Sequence, residues 1–269
     1  METMRPSLLF LAAACLGAAF PASAILIRSD RDDEEYLELA TKYTSALLLT
    51  EKGGEGVLIA PRWILTSADV ALILRDAQPR SKVTIAGADY EIASIFVHPE
   101  GKAGVVNDVG LILLRRPVKG VEPTVLYRLD DEKGMTVVMV GHGDVLKQGE
   151  MGKPGRQADR RPRAGINTVD RVTPNTLGLE IKAPEDASDL QGAATPLDHG
   201  APLFIETGSS VVVAGISHRV VDENHDHIIG NAGDVDVYMR VSTYVPWIEA
   251  VILDVTKKEL ESALDPDRK

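Results

Sequence analysis

Gly56-Val57-Leu58-Ile59-Ala60-Pro61-Arg62-Trp63-Ile64-Leu65-Thr66-Ser67-Ala68-Asp69-Val70 is the most informative stretch of the chain. It opens on a β-rich run, Gly56–Ala60, that stops at Pro61, a residue unable to donate to a strand ladder. Short runs of the same kind recur at Thr44–Thr50, Lys82–Ile85, Tyr90–Val97, Val109–Leu114, Thr136–Val140, Thr176–Ile181, Leu203–Glu206 and Ser210–Ile216. Many are separated by Gly, Pro, Asn or Asp, which favours a β-barrel or sandwich over βαβ units. A barrel also closes its own edges.

Two segments break the strand pattern. Ser29–Tyr43 begins with acids and then places Tyr36, Leu39, Ala40 and Tyr43 at helical spacing, and Tyr244–Leu264 has the same periodicity. Lys147–Arg163, polar and with two prolines, reads as a surface loop. The 269 residues accommodate two barrels of about 110 residues each. Only 4% are aromatic, so aliphatic packing dominates the core. The net charge of −11 argues against nucleic acid and anionic membrane as partners, since both require a basic footprint.

The amino terminus reads as an export leader. Arg5 precedes an uncharged run from Ser7 to Phe20, and Pro21-Ala22-Ser23-Ala24 supplies the small residues of a cleavage site. That run is shorter than the ~20 residues a bilayer requires. Cleavage after Ala24 gives a secreted or periplasmic protein and removes Cys15, the only cysteine. Ala12-Ala13-Ala14-Cys15 is a weaker signal, for lipid attachment. The mature chain then has no disulfide and no thiolate nucleophile or metal ligand. The expected division is a leader over 1–24, an N-terminal segment with the first barrel over 25–127, a second barrel over 128–243, and a helix and tail over 244–269.

Taken together, several segments resemble the chymotrypsin/trypsin-like serine peptidases, and in particular their secreted bacterial members. The Gly56–Val70 stretch parallels the family's G-x-L-I-A-P-x-W-V-L-T-A-A-H. His98-Pro99, followed by Asn107-Asp108-Val109-Gly110-Leu111-Ile112-Leu113-Leu114, parallels H-P and N-D-I-A-L-L-x-L. Pro196-Leu197-Asp198-His199-Gly200-Ala201-Pro202-Leu203 parallels G-D-S-G-G-P-L. Gly141-His142-Gly143, Val213-Ala214-Gly215-Ile216-Ser217 and Val237-Tyr238-Met239-Arg240-Val241-Ser242-Thr243-Tyr244 follow in family order, leading into Trp247-Ile248. The resemblance implies an all-β fold of two six-stranded antiparallel barrels with a C-terminal α-helix and a site in the cleft between the barrels. It also implies that a mature Ile25 ammonium pairs with the Asp198 carboxylate, a buried ion pair costly to break.

Peptide hydrolysis by this family uses a Ser hydroxyl, a His that takes its proton and an Asp that orients the His. On the matching positions this sequence has His199 for the Ser and Asp69 for the His, and it retains Asp108 for the Asp. The oxyanion-hole Gly is Leu197, whose Cβ resists the usual turn, and a second Gly is Ala201. Ser67 matches a small packed residue, and Ser217 belongs to the substrate strand. The floor of the specificity pocket is Ala193, without an acid to receive Lys or Arg; Ala193, Ser217 and His218 line the expected binding cleft. His98 and His142 are framework positions.

The expectation is therefore a pseudoprotease that has no cofactor and binds a peptide or protein ligand. Asp69, Asp108 and His199 are expected to form a self-neutralising polar cluster, with His199 raised in pKa by the two acids. The alternatives are an active hydrolase with an unconventional or metal-assisted Asp69/Asp108/His199 site, and a purely structural role. His225-Asp226-His227 reads as a solvated loop insertion, with metal binding as its rival.

Overall fold

The computed structural model describes residues 25–50, 53–77, 81–142, 146–147, 160–195, 197–208 and 210–265. The expected leader with Cys15, and residues 148–159 of the polar loop, lie outside them. In chain order the elements are β1 (Leu26–Ile27), α1 (Asp33–Ala40), β2 (Ala46–Leu48), β3 (Glu55–Ala60), β4 (Trp63–Thr66), α2 (Ala68–Asp76), β5 (Lys82–Ile85), β6 (Ala88–Val97) and β7 (Gly110–Leu114). The second half continues with β8 (Val125–Leu126), β9 (Thr136–Gly141), β10 (Leu146–Lys147), β11 (Arg163–Thr168), β12 (Arg171–Val172), β13 (Thr176–Glu180), β14 (Gly192–Ala193), β15 (Pro202–Thr207), β16 (Ser210–Val221), β17 (Val235–Arg240) and α3 (Val241–Leu264).

The first barrel is a six-stranded sheet in the order β2-β3-β4-β7-β6-β5. Its seed is the β3–β4 hairpin, in which Val57 faces Leu65 and Leu58 faces Ile64 across the turn at Pro61 and Arg62. Side chains from both faces of this hairpin are buried. Leu58 and Ile64 pack inward with Tyr90, Ile112 and Leu114. Val57 and Leu65 pack the other way, joining Val138, Phe204, Ile216 and Met239 of the second half. The aliphatic core thus runs continuously from one barrel into the next, and burial of this apolar surface, at about 25 cal/mol per Å², holds the halves together.

The second barrel differs from expectation in strand number. It has eight strands, seven in the order β11-β9-β15-β16-β17-β13-β12 with β8 parallel to β16. The excess over six comes from two-residue strands, too short to read from a sequence pattern. β8 places Val125 and Leu126 in the second barrel, ahead of the expected division at 127. The N-terminal segment also belongs there: Leu26 pairs with Ala193, and Asp33 of α1 takes both Nε and Nη2 of Arg163 on β11. α1 is shorter than the Ser29–Tyr43 pattern suggests. The Asp32 N–H donates to Glu35 Oε2 at 3.4 Å, and Tyr36, Leu37 and Ala40 are buried.

α2 was not anticipated. Ser67 occupies its N-cap position, and Val70, Ala71 and Leu74 bury one face. α3 starts three residues before the expected Tyr244, just after Arg240, whose Nε and Nη2 bind the buried Glu132 at 2.9 and 2.6 Å. Ser242 Oγ adds a third donor to Glu132 at 2.9 Å. Burial raises the Glu132 pKa, but Arg240 and Ser242 overcome it and hold the group below its ordinary value. Its contribution to stability is present above the ordinary glutamate range and lost as pH falls through the lowered value. Replacing Glu132 with Gln leaves Arg240 without its counter-charge and should lower unfolding free energy at pH 7 by about 3 kcal/mol, read by urea denaturation.

Candidate functional site

The cleft is built where α2 and the turn before β7 meet the second barrel. Asp69 lies in the first turn of α2, where the positive end of the helix dipole favours a carboxylate. Its Oδ1 accepts the Val70 N–H at 2.7 Å and the Ser67 hydroxyl, and its Oδ2 accepts His199 Nδ1 at 2.5 Å. Asp108 is fully buried; its Oδ1 accepts the N–H groups of Ala68 and Asp69 at 3.0 and 3.3 Å. Asp108 Oδ2 accepts Nδ1 of the buried His218 at 3.1 Å.

The expected three-residue cluster is therefore two Asp–His pairs. His218, expected only to line the cleft, is the partner of Asp108, while His199 takes Asp69. Burial raises the Asp69 pKa, but the hydrogen bond and charge of His199 outweigh it and bring it below the ordinary value. His199 is raised above its ordinary value by its bond to Asp69, against burial, with the charges of Asp69 and Asp108 adding to the effect. This agrees in direction with the sequence expectation. An imidazole tied in this way forms a charge pair, and residues 25–269 contain no cysteine to attack a substrate. The Ser67 hydroxyl is turned to Asp69, and Ser217 is buried.

The loop carrying His199 is fixed by backbone geometry. Gly200 adopts φ +83°, and a Cβ there would overlap the Glu55 carbonyl oxygen. Glu55 N donates to His199 O at 2.9 Å and Gly54 N to Leu197 O at 3.2 Å, so backbone bonds cross between the barrels here. Ala193 is buried and paired with β1, so it does not line an open cleft.

Behind the loop lies a group of acids of which sequence reading anticipated Asp198 and missed Glu55 and Asp236. Glu55 is buried; its Oε1 accepts the His142 N–H at 2.6 Å and its Oε2 accepts His142 Nδ1 at 3.1 Å. His142 thus does more than fill framework space. Asp198 Oδ2 accepts the N–H and hydroxyl of Thr195, both at 2.7 Å, while its buried Oδ1 has no hydrogen-bond partner. Burial, then the neighbouring Glu55 charge, push the Asp198 pKa well up. A Cβ on Gly141 would lie 2.5 Å from Asp198 Oδ1 and 3.1 Å from Ile25 Cγ1, so Ile25 and Asp198 flank the same glycine. Asp236 Oδ2 accepts Ala194 N at 2.6 Å and Tyr238 Oη at 2.9 Å, and its buried Oδ1 also lacks a partner. Burial pushes Asp236 up to about 7. Nothing in Val235-Asp236-Val237-Tyr238 announces that this acid points inward.

A groove of about 340 Å³ crosses the barrels, lined by Val105, Val106 and Asn107 from the first and by His218, Arg219 and Val237, among others, from the second. His225 and His227 sit in the exposed β16–β17 loop with φ +60° and +68°, not in a strand. Among the described residues, no group of three or more His, Cys, Asp or Glu side chains is arranged to hold a metal ion. His98 stacks edge-on against Tyr244 and Trp247, a packing role. No helix among the described residues is long and apolar enough to cross a membrane.

A family model described as Trypsin matches residues 35–248. Phenoloxidase-activating factor 3 of Holotrichia diomphalia is 30% identical over 176 residues, 60% of this chain and 47% of that protein. The chain therefore spans about half the length of this curated relative. The structure of neuropsin, a serine protease expressed in the limbic system of mouse brain, superposes with a TM-score of 0.62 at 17% identity, over 79% of this chain and 96% of that one. At that identity the likeness is one of fold: an all-β double barrel with a C-terminal helix.

The Asp236 carboxyl keeps its proton in the folded chain to about pH 7 and loses it near 4 when unfolded, so its effect on stability is most favourable below pH 4 and is lost as pH rises to 7. Asp236→Asn should remove up to about 4 kcal/mol of the fall in unfolding free energy between pH 4 and 8, measured by urea titrations at each pH.

Proposed function

Given that the chain belongs to the trypsin family, we propose that it is a non-catalytic member that binds a peptide or protein ligand in the cleft between its barrels. The pairing of Asp69 with His199 and of Asp108 with His218 carries this reading. In a working member the imidazole accepts a proton from a hydroxyl while a buried carboxylate holds its other side. Here the residue aligned with the base is an acid, the residue aligned with the nucleophile is an imidazole, and the orienting Asp108 is engaged by His218. Leu197, aligned with an oxyanion-hole glycine, gives its carbonyl to Gly54. Removing members of such a triad leaves only residual rates. The groove beside His218 remains as a binding surface.

In the same reading the protein is exported and begins at Ile25 after cleavage. Asp198 Oδ1, buried and without a hydrogen-bond partner, is the atom that receives the new ammonium. N-terminal sequencing of the secreted protein should begin Ile25-Leu26-Ile27; another first residue would remove the ion pair from the account.

The unmodified chain should neither cleave casein nor be labelled by a fluorophosphonate. Asp69→His, Leu197→Gly and His199→Ser together should restore labelling, but a histidine at 69 must compete with His218 for Asp108. Adding His218→Phe to the three should raise the labelling rate at least about tenfold, the equivalent of roughly 1.4 kcal/mol. Labelling or inhibitor-sensitive cleavage by the unmodified chain would overturn the reading.

A further inference from the structure

Three of the six histidines face carboxylates across the same seam, and always in the same sense. The acid belongs to the first barrel and the imidazole to the second: Glu55 of β3 with His142 after β9, Asp69 of α2 with His199 before β15, and Asp108 before β7 with His218 of β16. The imidazoles lie at most partly open, with side-chain exposures of 12%, 29% and 2%. Backbone bonds from Gly54 to Leu197 and from Glu55 to His199 run alongside them. The groove has walls from both barrels, and His218 is part of its lining, so its width follows the separation of the barrels.

We infer that the Asp69–His199 pair, flanked by the Glu55–His142 and Asp108–His218 contacts on the same seam, is a pH-sensitive clasp that holds the two barrels together under mildly acidic conditions and relaxes as pH rises, regulating the groove. This deepens the proposed binding function and rests on it for the role of the groove. The physical basis is that a charged imidazole attracts its carboxylate far more strongly than a neutral one, most of all away from water.

The surrounding groups act in the same direction. His199 faces Asp69 and Asp108, which keep it protonated above its ordinary range. Its contribution is present below pH 6.5 and is lost as pH rises through the raised value. At the acid end the Asp69 contribution is lost only as pH falls below the ordinary aspartate range. Behind Glu55 lie Asp198 of the second barrel and Tyr238. Tyr244 neighbours Asp108 and stays neutral, pushed up to about 12 by burial.

Amide hydrogen exchange reads the seam without a ligand. Protection factors, normalised for the intrinsic pH dependence of exchange, are measured at Gly54 and Glu55, whose N–H groups cross the barrels, and at Leu111 and Val138, inside them. Between pH 6 and 8.5 the protection of Gly54 and Glu55 should fall severalfold relative to the interior pair, as His199 loses its proton and with it the charge that attracts Asp69. His199→Gln should abolish that pH dependence, and Asp69→Asn, which leaves the imidazole in place without its partner charge, should reduce it. Constant relative protection in the unmodified chain overturns the clasp. So does undiminished pH dependence in the Asp69→Asn protein, which decides the matter if the His199→Gln protein does not fold. Neither result bears on catalysis, which fluorophosphonate labelling tests separately.

Discussion

A carboxylate withdrawn from water must find a partner, and this requirement organises the molecule more than any other. Glu55, Asp108, Glu132, Asp198, Asp234 and Asp236 are all buried in a chain of net charge −11. Each solution is different. Glu132 takes a two-pronged guanidinium, Asp234 gathers the N–H groups of Glu223, Gly230 and Asn231 to close the β16–β17 loop, and Glu55 and Asp108 each receive an imidazole. Asp198 and Asp236 are only half satisfied, each with one oxygen left over, and both answer by holding a proton more tightly than an exposed acid would. Glu132, held below its ordinary value, and Asp236, held above it, tie the stability of the fold to pH from opposite sides.

The double barrel was legible in the sequence because its hairpins carry their own punctuation. Val57–Leu65 and Leu58–Ile64 pair as the alternation and Pro61 require, and the segments resembling serine peptidases fall on the matching strands. Two-residue strands such as β8 and β12 left no pattern to read. α2 was hidden because its apolar residues, Val70, Ala71 and Leu74, look like a continuation of the preceding strand; Ser67 was the available clue to a helix start. At the site, the identities of Asp69, Asp108 and His199 were readable, but their pairing was not. Hydrogen-bond partnership between residues more than 100 positions apart depends on tertiary placement, and His218 takes Asp108 because β16 carries it alongside the turn before β7. Glu55 and Asp236 were missed for a simpler reason: each lies one residue before a recognised segment, at Gly56 and Val237, and nothing in the local pattern marks an inward-pointing acid there.

A proton relay and an inter-barrel tie use the same atoms for opposite ends. A relay needs an imidazole free to accept a proton from a substrate-facing hydroxyl and to hand it on; a tie needs that imidazole held. At 2.5 Å from Asp69 and 3.1 Å from Asp108 respectively, His199 and His218 are held, and the groove that His218 lines has valine walls and two arginines, Arg171 and Arg219. The scaffold around the cleft is therefore that of the family, while two of its imidazoles are engaged by carboxylates across the seam.

The direction of the three ties has a consequence for the order of assembly. Glu55, Asp69 and Asp108 are all translated before the first of their imidazoles, at His142, and the last does not appear until His218. While the ribosome is still reading the second half, the nascent first barrel carries three acids awaiting counter-ions, and an apolar flank around Val57 and Leu65 awaiting its cover. That half acquires its buried counterparts only from the half that follows. Vectorial synthesis makes the amino-terminal barrel a template that ripens only when the carboxy-terminal one closes over it.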